Sequence, residues 1–229
     1  MELLKVESFA NRVKVDRARR IVHARFADRT VHFLYRDNLF AETLAWIRTG
    51  FFEQQYGWLD VKGRNVVDIG ASVGDTAIYF ALKGARHVYG FELDRERCAL
   101  AHENVKLNNL SSKIDIINAG CGNPSKIASD SNKKSRFYSL LQIAEMYGLK
   151  DAVLKMDCEG CEYPILLSSS KSTVRRFAQI MLEYHYGYKN IAKRLIECGF
   201  DVRYTRPESF KSANGRSYIG YMYARQVKQ

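Results

Sequence analysis

Three prolines in 229 residues, at positions 124, 164 and 207, leave most of the chain free to form regular elements. No apolar run approaches the ~20 residues that a membrane-spanning helix needs. The start, Met1-Glu2-Leu3-Leu4-Lys5-Val6-Glu7, has neither a charged region followed by an apolar stretch nor a cleavage site, so the expectation is a soluble, cytoplasmic protein. A Gly-Lys-Ser/Thr loop is missing, which argues against hydrolysis of nucleoside triphosphates. Cysteine is scarce, with five residues at 98, 121, 158, 161 and 198. Cys158 and Cys161 make a single C-x-x-C with no second pair at zinc spacing, so these thiols read as core or incidental. Their odd number argues against a secreted disulfide scaffold. His23, His32, His87 and His102 are scattered, and no metal ligand is assigned. Internal repeats, low-complexity tracts and long linkers are missing as well.

What is present is a globular composition with an uneven charge. The hydrophobic share is 46% and the net charge +11. Residues 1–36 hold nine Lys/Arg against four Asp/Glu, and residues 187–229 hold nine against three. The stretch between them has eighteen of each and sums to zero. Basic ends attract nucleic acid, anionic lipid or an acidic substrate; they are also what an ordinary solvated surface looks like.

Alternation of strand-like and helix-like runs predicts an α/β fold. Residues 21–36 read as two short strands around Ala27-Asp28-Arg29, and 39–56 as a helix with Phe40, Leu44, Ile47 and Phe51 on one face. This front end, 1–60, is expected to cover one side of a domain spanning 61–229. Strands are expected at 65–69, 87–92, 113–118, 152–157, 178–185, 200–205 and 217–224, and helices at 75–84, 94–108, 138–147, 160–168 and 188–198. These elements imply a seven-stranded, mostly parallel sheet with helices on both faces. The last two strands are joined only by a loop and should pair antiparallel.

The stretch Asp68-Ile-Gly-Ala-Ser-Val-Gly-Asp-Thr76, followed by Glu92 at the end of the next strand, has the form of a nucleoside-binding half-site. It is not the dinucleotide fingerprint G-x-G-x-x-G, because Ser72 and Asp75 stand where the second and third glycines belong. Asp75 in the first helical turn disfavours a pyrophosphate there. A second cluster follows the strand at 152–157. Asp157, Glu159 and Glu162 gather at its carboxyl end, where ligands of open α/β sheets bind. Such acids can bind a cation, hold a positively charged cofactor, or act as base. At the end of the fifth strand, Glu183 and His185 share one face, since side chains repeat every two residues. His185 is the first choice for general base, with Glu183 orienting it. Tyr184 and Tyr186, on the other side, are expected in the core. Asn118 and Ala119 end the third strand.

The segment Lys155-Met-Asp-Cys-Glu-Gly-Cys-Glu162 resembles the K-x-D-x-E-G-x-E motif of the FkbM family of S-adenosylmethionine-dependent methyltransferases. Asp68 to Thr76, Phe91-Glu92 with Asn104 and Asn108, and Glu183-x-His185 resemble that family's other motifs, in the same order. The likeness covers roughly residues 45–205, with Leu93 standing where the family commonly has proline. It implies the Rossmann-like class I methyltransferase fold and S-adenosyl-L-methionine as cofactor. It places Asp68, Gly70, Ala71, Gly74, Asp75 and Thr76 around that cofactor, with Glu92, Leu93, Asn118, Ala119 and Asp157. Glu92 would bond the ribose and Asn118 the adenine. It places Asp157, Glu159, Glu183 and His185 toward an acceptor, often a hydroxyl of a small molecule or sugar. The basic ends leave RNA open as acceptor, and an idle methyltransferase-fold binding module is the third reading. Asn/Asp-Pro-Pro-Tyr/Phe and Pro-Cys are absent, which speaks against nucleobase amino-methylation and cysteine-mediated pyrimidine methylation. Segments 1–64, 122–137 and 206–216 are expected to shape the acceptor pocket.

Overall fold

A computed structural model of the chain describes residues 9–123, 135–212 and 215–227. Parts of the segments expected to shape the acceptor pocket therefore lie outside the described residues. Apolar, β-branched runs form the central strands β4 (Asn65–Ile69), β5 (His87–Glu92), β6 (Ile114–Asn118), β9 (Ala152–Met156) and β10 (Phe177–Tyr184). All five residues of β9 are buried, as expected of a parallel strand covered on both faces. The sheet is completed by β11 (Phe200–Tyr204) and β13 (Gly215–Gln226), in the order β11-β13-β10-β9-β4-β5-β6. Pairing is parallel from β10 through β6 and antiparallel where β13 meets β10 and β11. An eighth strand, β12 (Glu208–Ser212), occupies the expected loop and pairs with the first part of β13. Between β6 and β9, two-residue strands β7 (Gly120–Cys121) and β8 (Phe137–Tyr138) pair with each other in parallel.

Side-chain alternation divides the strands between two cores. Val67, Ile69, Leu154 and Met156 pack with helices α5 (Leu140–Met146), α6 (Glu162–Ser168) and α8 (Lys189–Glu197), and the short α7 (Lys171–Val174) lies beside them. Val66 and Val153 face the opposite core with α3 (Asp75–Leu82) and α4 (Arg95–Leu107). The front end joins that second core. Its hairpin, β2 (Ile21–Phe26) and β3 (Arg29–Leu34), turns at Ala27-Asp28 and buries Val22, Ala24, Val31 and Phe33. Two further elements here carry no sequence signal. The four-residue α1 (Phe9–Arg12) and the strand β1 (Val13–Asp16) precede the hairpin, and β1 adds to β2. Neither is long enough to show a period.

The helix expected at 39–56 is shorter. A 3₁₀ turn at Asp37–Leu39 leads into α2 (Phe40–Ile47), and a π turn follows at Arg48–Phe52. That wider turn carries Phe51 into a ring cluster, with centroids 5.0 Å from Phe26, 5.6 Å from Phe33 and 5.5 Å from Tyr79. The free edge of β3 is satisfied by α4. Leu34 N–H donates to Asn104 Oδ1 at 2.7 Å, and His32 N–H donates to Asn108 Oδ1 at 2.9 Å. Asn104, wholly buried, also donates to Val73 O at 2.9 Å. Asn104 thus ties the front hairpin to the turn after β4, and Asn108 ties it to the end of α4, in place of a strand partner.

Candidate active site

Chain order reverses between β4 and β9, and a crevice opens outside their carboxyl ends, as it does in open α/β sheets. The turn after β4 needs left-handed backbone at Gly70 (φ +78°) and Gly74 (φ +83°). At Gly70 the neighbour fixes the choice: a Cβ there would lie 1.8 Å from Asp157 O. Gly70 and Ala71 N–H both donate to Phe91 O, at 2.9 and 3.1 Å, which ties this turn to β5. Glu92 ends β5 with its carboxylate fixed from two sides. Ser72 N–H donates to Oε2 and Asp94 N–H to Oε1, both at 2.8 Å. Burial pushes the Glu92 carboxyl up, and these two amides pull it back. A carboxylate has about four lone-pair sites, so each oxygen keeps room for one more donor.

A cleft of about 230 Å³ opens here. Gly70, Glu92, Leu93, Ala119 and Asp157 of the expected cofactor set line it, together with Glu159 from the expected acceptor side. Trp46 and Arg97 line it too, the guanidinium 5.5 Å from the indole ring, and neither carries a sequence signal. The rest of the expected cofactor set stands outside this lining. Asp68, Ala71, Gly74, Asp75, Thr76 and Asn118 do not line the cleft; they build it. Asp68 is fully buried, accepts a hydrogen bond from the Thr76 hydroxyl, and lies 3.0 Å from Lys155 Nζ. Lys155, also buried, donates to Gly70 O at 2.8 Å. Asp75 is 6% exposed, and burial pushes its carboxyl up to about 7. Asn118 donates to Glu92 O and Leu93 O at 2.9 and 3.1 Å, which holds its amide nitrogen against the backbone.

Asp157 links the cleft to a second group of side chains. It lines the cleft and also a closed recess beside Glu183, Tyr56 and Tyr221. Ligand-type atoms of Asp157, Glu183 and His185 lie within 4.8 Å of one another. The two-residue spacing expected to bring Glu183 and His185 together does so, with His185 Nε2 3.6 Å from Glu183 Oε2. Nε2 is also 3.4 Å from Glu159 Oε2, while Nδ1 is 3.7 Å from Glu162 Oε2. Glu162 is wholly buried and accepts a 2.8 Å bond from Cys158 N–H, which folds the acidic loop back on itself. Burial alone would lower the His185 imidazole; Glu162, then Glu159 and Glu183, more than offset it and raise it to about 9. The carboxylates around the ring thus favour the protonated form of His185. The Glu183 carboxyl is pushed up to about 7, by burial first and by Asp157 second.

Two expectations in this region are overturned. Tyr184 is a core residue whose hydroxyl donates to Thr205 O at 2.8 Å, but Tyr186 is 67% exposed, because β10 has ended before it. Cys158 and Cys161 are not free thiols. They form a disulfide across the acidic loop, where Glu159 (φ +58°) and Gly160 (φ +105°) turn the chain back. Cys98, Cys121 and Cys198 are free and buried. Thiol titration in denaturant is expected to count three thiols without reductant and five after reduction. Five at the outset would show that the loop stays open.

Known proteins resemble this chain in fold or in part of its sequence. A TrmK from M. capricolum, solved with S-adenosyl-homocysteine, superposes with a TM-score of 0.53 at 12% identity, over 77% of this chain and 69% of that one. An uncharacterized protein from Listeria monocytogenes gives a TM-score of 0.50 at 13% identity, over 77% and 67%. Likeness at such identities speaks for the fold alone. In sequence, uncharacterized protein 158B of Sulfolobus islandicus rod-shaped virus 1 is 33% identical over 111 residues, 48% of this chain and 56% of that protein. The ribosomal protein L11 methyltransferase of Carboxydothermus hydrogenoformans is 40% identical over 55 residues, 24% of this chain and 18% of that protein. Methyltransferase GfsG of Streptomyces halstedii is 29% identical over 102 residues, 44% of this chain and 37% of that protein. The chain thus spans little more than half, or much less, of the curated relatives it matches. The family model of the methyltransferase FkbM domain matches residues 68–202, from the first buried aspartate to the sixth sheet strand, and the chain belongs to that family.

Proposed function

We propose that the chain is an S-adenosylmethionine-dependent methyltransferase acting on a hydroxyl, with the donor in the cleft and the acceptor on the Asp157, Glu183 and His185 side. The observation that carries this reading is the Glu92 carboxylate. It stands at the cleft wall with both oxygens oriented by backbone amides and each still able to accept, which suits the two hydroxyls of a ribose. The rest of the cleft is consistent with a nucleoside. Leu93 and Ala119 offer apolar surface for a base, and Asp157 and Glu159 offer negative charge for a sulfonium and an amine.

When bound, S-adenosylmethionine supplies a methyl group that goes to the acceptor's oxygen lone pair while the C–S electrons stay on sulfur and the acceptor proton is released. The chain's part is to hold the two reactants in line, and such positioning supplies up to roughly 7–11 kcal/mol of a barrier. Gly70 lets the loops after β4 and β9 approach, Glu92 anchors the donor, and Asp157 stands between donor and acceptor sides.

Glu92→Ala is expected to weaken S-adenosylhomocysteine binding about a hundredfold or more, since two hydrogen bonds to a charged group contribute about 1.5–3 kcal/mol each. Calorimetry reads it, with circular dichroism to verify the fold. Undiminished binding by the variant, or none by the wild type, sinks the proposal.

One observation favours a second reading, RNA as acceptor. Lys and Arg exceed Asp and Glu by five in residues 1–36 and by six in 187–229, while the middle is neutral. RNA binding should then fall steeply with salt. Incubation with radiolabelled donor and fractionated extract separates the readings: label in small molecules or sugars favours the first, and label in RNA the second. Donor binding with no transfer to any fraction would favour an idle binding module.

A further inference from the structure

We propose that Asp157, Glu183 and His185 form a divalent-cation site beside the donor cleft, best suited to Mn²⁺. The three come from the carboxyl ends of β9 and β10, so the sheet itself brings them together. Their ligand-type atoms lie within 4.8 Å of one another. An octahedral ion of this class holds neighbouring ligands about 3 Å apart and opposite ones about 4 Å apart. Small side-chain rotations are enough to close the difference.

His185 supplies the second, independent observation. Its side chain is 8% exposed, yet Nδ1 makes no hydrogen bond among the described residues. Nε2 lies 3.4 and 3.6 Å from carboxylate oxygens, longer than the ~2.7–2.9 Å of a charge-assisted hydrogen bond. Buried polar groups are normally satisfied; here the unbonded ring atom is Nδ1, on the Glu162 side, while Nε2 faces Glu159 and Glu183 at distances longer than a hydrogen bond. The other side of the ring is arranged as in many metal sites. Nδ1 faces the wholly buried Glu162, whose second oxygen is anchored on Cys158 N–H. A carboxylate behind a ligating histidine fixes its orientation and raises its basicity.

Charge points the same way. Asp157, Glu159, Glu162 and Glu183 gather around a single imidazole; among the described residues no Lys or Arg is in ion-pair contact with any of the four, and the buried Lys155 ammonium, paired with Asp68, acts on Asp157 from further off. The donor set then selects the ion. Carboxylate oxygens suit Mg²⁺, Ca²⁺ and Mn²⁺, and an imidazole favours a transition ion, which within that group is Mn²⁺. Three protein ligands leave an octahedral ion three positions for water or an acceptor oxygen. An oxygen on a divalent cation loses its proton more readily, so an acceptor hydroxyl held there is activated next to Asp157 and the cleft. That role rests on the methyl-transfer reading; ion binding does not.

The test uses chelator-treated full-length protein titrated with Mn²⁺ alone near neutral pH, read by the electron paramagnetic resonance of the free ion. One site is expected, with nitrogen coupling from His185 in the pulsed spectrum. His185→Ala should abolish that coupling and weaken binding at least about tenfold, and Glu162→Gln should weaken it about tenfold while keeping the coupling. Circular dichroism follows the fold of each variant. No uptake by the wild type up to about 1 mM overturns the site. So does uptake without nitrogen coupling, or equal affinity in a folded His185→Ala. Calorimetry with S-adenosylhomocysteine runs in parallel on the wild type. Mn²⁺ binding without nucleoside binding upholds the site and overturns methyl transfer; the converse overturns the site alone.

Discussion

Lys155→Met is expected to lower the stability of the folded chain by about 3–5 kcal/mol, the usual cost of removing one partner from a buried ion pair. Lys155 is 1% exposed and lies in a strand whose neighbours are all apolar. Its ammonium has two fixed partners, Asp68 Oδ1 at 3.0 Å and Gly70 O at 2.8 Å. Burial alone would lower the Lys155 ammonium, but Asp68 and Asp157 raise it beyond the ordinary range, so it is charged. Methionine fills the space and leaves Asp68 buried with only the Thr76 hydroxyl. Burial already pushes the Asp68 carboxyl up, and Lys155 is the main influence pulling it back. In the variant Asp68 therefore binds a proton more tightly folded than unfolded. Stability then falls as pH rises through and above the ordinary carboxylate range, so the deficit is larger at alkaline than at mildly acidic pH. Urea unfolding at two pH values reads it, and Asp68→Asn in the same chain should recover at least about 1 kcal/mol. A deficit under about 1 kcal/mol, or one that shrinks as pH rises, counts against the buried pair as a brace.

Gly70→Ala is the second large effect. Three glycines with positive φ separate the backbone contribution from the collision. Gly63 (φ +70°) has nothing within 4 Å of where a Cβ would stand, so alanine there carries only the left-handed backbone penalty of about 1–2 kcal/mol. Gly74 (φ +83°) adds a tight approach to Ala101 Cα at 3.3 Å. At Gly70 the methyl meets Asp157 O at 1.8 Å, and that oxygen is backbone that cannot rotate away. The loops must separate, and the 3.0 Å bond from Asp157 N–H to Ile69 O is the first casualty. Stability is expected to fall in the order Gly63→Ala, Gly74→Ala, Gly70→Ala, and the last should lose S-adenosylhomocysteine binding even where it folds. Equal costs at 63 and 70 would falsify the close approach. Thermal melts and calorimetry on the three variants decide it.

Much of this is legible in the residues. Buried parallel strands read as apolar runs, so pattern alone finds the sheet and its helices. Glu92 stands out because an acid at a strand end after a glycine turn has few other uses. What escapes is equally specific. Asp68 looks like a ligand because it opens the motif; only long-range packing shows that Thr76 and Lys155 enclose it. Lys155 reads as one letter in a motif, although a lysine between Leu154 and Met156 in an apolar strand is itself a signal of a buried partner. Trp46 and Arg97 reach the cleft from elements with no motif. The Cys158–Cys161 bond depends on a left-handed Glu159 and Gly160, and spacing alone does not disclose it. Glu162 and His185 meet across 23 positions, so neither predicts the other.

Because β13 sits between β10 and β11, β10 emerges from the ribosome with one edge open. Residue 184 ends β10, and its last antiparallel partner lies at 220, with the far end of the ladder at 225. Glu183 in β10 and His185 just past its end are thus presented on a strand whose second neighbour arrives only after α8, β11 and β12 have been synthesised. Until then the row of unpaired N–H and C=O groups along β10 is open to other chains. Closure of this half of the sheet is late and non-local, so nascent chains halted before β13 are the ones expected to depend on chaperones.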